Sequence, residues 1–82
     1  MVISDPNNQA LFNQLPTGVA REIDEFIFNN AILKGIKAYM DNLHIGLKEA
    51  LDLFQWRYDM LRVSSPAKFR NSEENYWAGF YS

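Results

Sequence analysis

Along residues 47–63, apolar residues recur at alternating steps of three and four, the spacing of one helical face. Leu47, Ala50, Leu51, Phe54, Tyr58 and Leu61 make up this stripe, and a helix so patterned buries it against a neighbour. Leu53, Trp56, Met60 and Val63 lie roughly opposite, so the helix is apolar on two sides and must be covered twice in water. Ser64-Ser65-Pro66 ends it, because proline lacks the N–H that would continue the ladder and disfavours helical geometry in the residue before it.

Upstream, the pattern changes phase. Residues 17–42 read as helical, with Thr17 as a cap and Glu22, Asp24 and Glu25 forming a solvated acidic face near the favourable N-terminal end. Val19, Ala20, Ile23, Phe26 and Ile27 share one side, whereas Phe28, Ile32, Ile36, Tyr39, Met40 and Leu43 fall nearly opposite. A break near Asn29-Asn30, with Asn30 capping a second helix, accounts for the shift. One continuous helix covered on different sides along its length would account for it too. A strand over 23–28 would lack a partner. The short connection Asn42-Leu43-His44-Ile45-Gly46 makes the flanking helices antiparallel neighbours.

Both ends add smaller elements. Asp5 as a cap, Pro6 at the first helical position and Pro16 as a stop predict a short helix over 6–14. Leu11, Phe12 and Leu15 would pin it to the body, or the segment is an arm that docks on a partner. Residues 68–71 read as loop, and Asn71 with Glu74 has the spacing of a capping box opening a short helix through Tyr76 and Trp77, which Gly79 would end. The whole is one all-α domain of three to five helices around the antiparallel hairpin of roughly 30–42 and 47–63. Residues 1–16 are an N-terminal arm or short helix, 17–63 the helical core, and 64–82 an aromatic tail.

Composition fits one domain and no more. At 82 residues, 48% hydrophobic and 15% aromatic, the chain can fold, yet a domain of this size buries only about 60% of its unfolded surface. A net charge of −2 opposes generic nucleic-acid binding, whose affinity rests on neutralised phosphates. Cysteine is absent, which removes disulfides, thiolate metal sites and thiol nucleophiles. With neither a secretory leader pattern at its start nor a span-length apolar run, the expected location is cytoplasmic, with no membrane association.

No residue set carries recognisable chemistry. His44, the one histidine, sits in the hairpin turn without a nucleophile, second base or further metal ligands at fixed spacing. No phosphate loop or triad can be assembled, so neither an enzyme nor a cofactor is expected. Arg57, Arg62, Lys68 and Arg70 concentrate positive charge, a candidate nucleic-acid or nucleotide contact. Asp52 and Asp59 interleave with them on the helix, which favours ordinary ion pairing.

The second stripe of the 47–63 helix is the most informative feature. Either the tail rings Phe69, Tyr76, Trp77, Phe80 and Tyr81 dock on it from within the chain, or part of this surface meets another chain. Leu53, Trp56, Met60, Tyr76, Trp77, Phe80 and Tyr81 are therefore candidate interaction residues. The expected partner is a protein, either a second copy giving a homo-oligomer or a different chain. The function this favours is a non-enzymatic interaction module, a small adaptor or inhibitor occupying a partner's surface, of the kind supplied by phage or mobile-element accessory proteins.

Ile36-Lys37-Ala38, seven residues, then Gly46-Leu47-Lys48-Glu49-Ala50, one residue, and Asp52-Leu53 resembles the helix–turn–helix of the C-terminal domain of the bacterial ribosomal stalk protein. The resemblance covers under a quarter of the chain. It implies a packed hairpin in which Gly46 allows close approach to the facing helix and Leu47 with Ala50 start the packed face. It also implies an alternative role in binding the ribosome or translation factors, which that family recruits through basic residues. Lys37 and Lys48 match such positions, while Ile32, Met40 and Leu51 stand where the family is basic.

Overall fold

A computed structural model describes residues 6–78 of the chain, apart from the side chain of Glu73. These residues form five α-helices and one 3-10 turn, with no strand among the described residues. The helices are α1 (Pro6–Asn13), α2 (Thr17–Phe28), α3 (Ile32–Leu43), α4 (Leu47–Ser64) and α5 (Glu73–Tyr76), and the 3-10 turn is Pro66–Lys68. The all-α class and the central hairpin agree with the sequence pattern. α3 packs on both α2 and α4, while α1 lies on α4.

The phase change at Asn29-Asn30 is a true break. Asn30 takes the left-handed conformation at φ 63°. Its N–H donates to the Ile27 carbonyl at 3.2 Å, and the Ala31 N–H donates to the Phe26 carbonyl at 2.8 Å. These two bonds are the Schellman pattern that closes a helix C-terminus. Asn30 therefore ends α2 instead of capping α3, whose N-cap position is Ala31 with no side-chain cap bond. The other expected caps also differ: Thr17 is the first residue of α2 after Pro16, and Ser72 precedes α5, neither helix having a side-chain cap bond. The Asn71–Glu74 box is therefore not formed.

Ile23 and Ile27 of α2, Ile36 and Tyr39 of α3, and Ala50, Leu53, Phe54 and Tyr58 of α4 fill the core. The α4 stripes hold in the middle of the helix and fail at its ends, where Leu47 and Val63 are exposed. Close approach within the hairpin occurs at Gly35, where an added Cβ would lie 2.6 Å from Cε2 of Phe54. Gly46 has no such constraint, since its nearest neighbour would be Glu49 Oε1 at 4.0 Å. The turn is closed instead by His44, left-handed at φ 55°, whose N–H donates to the Met40 carbonyl at 2.9 Å.

Candidate interaction surface

Two flanking segments cover the rings of α4. On the C-terminal side, Phe69 packs edge-on against Phe28 at 5.1 Å and Tyr58 at 5.4 Å between centroids. Tyr76 lies 4.5 Å from Tyr58, and Trp77 meets Phe54 and Tyr58 at 5.8 and 5.1 Å. The tail bonds two carbonyls at the end of α2, that of Phe28 and that of Ile27, the second of which also accepts from the Asn30 N–H. The Tyr76 hydroxyl donates to the Ile27 carbonyl at 2.6 Å, and the Arg70 N–H donates to that of Phe28 at 2.9 Å. Burial, reinforced by the neighbouring Tyr58, pushes the Tyr76 phenol well above its ordinary pKa.

Arg62 ties the same segment to α4. Its guanidinium sits 3.8 Å from the Phe69 ring centroid, Nε donates to the Tyr58 hydroxyl at 2.9 Å, and Nη2 donates to the Asn71 carbonyl at 2.9 Å. A cation over a ring face is attracted by the ring's quadrupole.

On the N-terminal side, α1 lays Phe12 edge-on against Trp56, 5.9 Å between centroids, with the Arg57 guanidinium 4.4 Å from the Phe12 ring. Arg57 forms a two-pronged pair with Asp24, Nε to Oδ1 at 2.9 Å and Nη2 to Oδ2 at 2.7 Å. That hydrogen bond, opposed by burial and aided by the charge of Asp24, holds the Arg57 pKa above its ordinary value. Tyr39 is fully buried close enough to feel both charges, and burial first, then Asp24, raises its phenol pKa. Its hydroxyl has no hydrogen-bond partner. Beside α1 an open cleft of about 470 Å³ runs between Phe12, Asn13, Leu15, Ala20, Arg21 and the Asp24–Arg57 pair.

The candidate interaction residues thus divide. Leu53, Trp56 and Tyr76 are buried within the chain, and Met60 and Trp77 are half-buried. Phe80 and Tyr81 lie outside the described residues. The tail does dock, but on the Phe54–Tyr58 side; Trp56 in the second stripe meets α1 instead. The basic cluster is dispersed: Arg57 and Arg62 are engaged internally, while Lys68 and Arg70 are exposed. The carboxylate partner of Arg57 is Asp24, 33 residues away, so Asp24 is not part of a solvated acidic face.

Three features of this surface have no local sign in the sequence: Phe12 as the cover of Trp56, Asp24 as a half-buried partner of Arg57, and Arg21 at the cleft. The Leu11-Phe12 doublet followed by Leu15 signals only that the segment is pinned to the body. Among the described residues no group of three or more His, Cys, Asp or Glu is placed to hold a metal ion, and no helix is long and apolar enough to cross a membrane. Comparison of the chain with protein-family models, curated proteins and solved structures gives no match.

Proposed function

We propose that this chain is a non-enzymatic protein-interaction module, a small adaptor or inhibitor, whose docking face is the surface of α4 around Trp56 that α1 covers. One observation carries the reading: the cluster of buried apolar residues contains no member of α1, whose Leu11 and Phe12 are only partly buried against it. α1 thus covers this cluster, Trp56 above all, without supplying any of its apolar members, the nearest of which is Leu15 in the connection to α2.

The helix itself is weak. Its eight residues, PNNQALFN, carry no charge, so neither end complements the macrodipole. Asparagine is a poor helix former, and isolated helices shorter than about 12 residues are marginal in water. Elements held by few buried apolar contacts open at low free energy. Lifting α1 uncovers Trp56 beside Arg57, residue types enriched at the energetic centres of interfaces.

The test uses the full-length Phe12→Ala variant and a peptide of residues 6–16 added in trans, followed by amide chemical-shift titration. The variant should stay folded and bind the peptide over Trp56 with a dissociation constant on the order of 1 mM, the scale set by the effective concentration of a tethered segment. A folded variant that ignores the peptide overturns the reading.

A further inference from the structure

We propose that the partner received by the α1 face is an acidic amphipathic helix carrying a leucine–aromatic pair, with a carboxylate that reaches Arg21. This inference rests on the reading above and specifies its occupant. The apolar half of the description comes from α1, which seats Leu11 and Phe12 against the core. A helix of the same spacing meets the same surface, so α1 serves as the pattern for its own competitor.

The acidic half comes from charge. The cleft beside α1 is lined by two guanidinium groups, Arg21 and Arg57, and one carboxylate, Asp24. Asp24 is committed to Arg57 through both of its oxygens. Arg21 is exposed and has no ion-pair partner among the described residues. Arg21 also lines a second cleft of about 570 Å³ with Glu22, Asp24, Glu25 and Lys68, so the guanidinium stands between that mixed-charge cleft and the seat of α1. The segment from Pro6 to Pro16 offers it nothing, since it contains no charged residue.

An incoming helix with a carboxylate near the position of Asn13, which lines the cleft with Arg21, therefore gains an interaction that α1 cannot make. This asymmetry lets a partner displace a cover that has the advantage of being tethered. Charge complementarity at such a rim raises the association rate and discriminates against wrong partners. A basic helix of the same apolar spacing would gain no such contact, since Arg57 is already paired with Asp24 and Arg21 is itself a cation.

The experiment compares two peptides of residues 6–16, one natural and one carrying Asn13→Glu, binding to the full-length Phe12→Ala variant. The acidic peptide should bind about threefold to fivefold more tightly, as expected for an exposed ion pair. Adding Arg21→Ala to the protein should erase that advantage while leaving the natural peptide's affinity unchanged, and raised salt should shrink it. Equal binding of both peptides, or an advantage that survives Arg21→Ala, overturns the acidic partner but leaves the docking face standing. Failure of both peptides on a folded protein overturns both. Full-length Leu11→Ala, which also loosens α1, provides the same comparison if Phe12→Ala does not fold.

Discussion

The two segments that flank the helical core both lay aromatic rings over α4, yet they are attached differently. The C-terminal segment sets Phe69, Tyr76 and Trp77 among Phe28, Phe54 and Tyr58, and its hydrogen bonds finish the carbonyl end of α2. Removing it would strand buried polar groups as well as expose rings. α1 covers Trp56 with Phe12 and adds no residue to the buried apolar cluster. The C-terminal segment thus completes polar bonding at the end of α2, whereas the contribution of α1 is one buried polar residue, Asn8, and a half-buried ring over Trp56.

The largest expected effect tests this contrast directly. Tyr76→Ala should cost about 3–5 kcal/mol, the usual range for deleting a buried aromatic. Phe12→Ala should cost only about 1–2 kcal/mol, because a half-buried ring forfeits correspondingly less surface. Urea denaturation of the two variants checks both values. If the losses are equal, or reversed in order, the distinction between the two covers is broken.

Arg57→Ala should come next, at about 2–3 kcal/mol. Breaking a fully buried pair costs about 3–5 kcal/mol, and these side chains retain 19% and 17% of their exposure, so some solvent screening remains. A double-mutant cycle with Asp24→Ala isolates the coupling. Hydrogen exchange on Arg57→Ala sharpens the comparison: α1 amides should lose protection while Tyr76 keeps its place. Loss of protection in both covers would show that the pair organises the whole domain.

Alkaline pH acts on both sides at once. Tyr39 and Tyr76 have phenol pKa values raised above the ordinary 10.0, so the folded state holds these protons more tightly than the unfolded chain does. Stability is complete below pH 10 and falls as pH rises, by up to about 1.4 kcal/mol per phenol for each pH unit. Phenolate absorbance from these two tyrosines should grow together with loss of helical circular dichroism. Phenolate signal from Tyr76 with helices intact would place its hydroxyl in contact with water and weaken the case for the C-terminal segment as core.

Much of this arrangement was legible in the chain. The three- and four-residue steps from Ala50 to Leu61 give the buried face of α4, and the slip in phase at Asn29-Asn30 gives the break, because both are local consequences of helical geometry. Asparagine's tolerance of the left-handed conformation also makes Asn30 a natural stop, and it closes α2 where the pattern alone suggests a cap for α3. What covers each stripe was not legible. Phe12 and the tail rings are equally good apolar partners for α4, and only the path of the chain in space decides between them. The Asp24–Arg57 pair spans three helices of sequence, and nothing local distinguishes Asp24 from Glu22 or Glu25.

The smallest effect concerns two buried tyrosines that are alike in burial and unlike in bonding. Tyr76 gives its hydroxyl proton to the Ile27 carbonyl at 2.6 Å, so Tyr76→Phe should cost about 1–2 kcal/mol by removing a buried hydrogen bond. Tyr39 is as deeply buried, but its hydroxyl has no partner, because Asp24 and Arg57 beside it are satisfied by each other. Tyr39→Phe removes a polar group that was desolvated without return, and should leave stability unchanged or raise it by up to about 1 kcal/mol. Thermal melts of the two variants in parallel read the difference. A loss at Tyr39 matching that at Tyr76 would mean that the hydroxyl is bonded in solution, and the N-terminal side of the molecule would then be as fully satisfied as the C-terminal side.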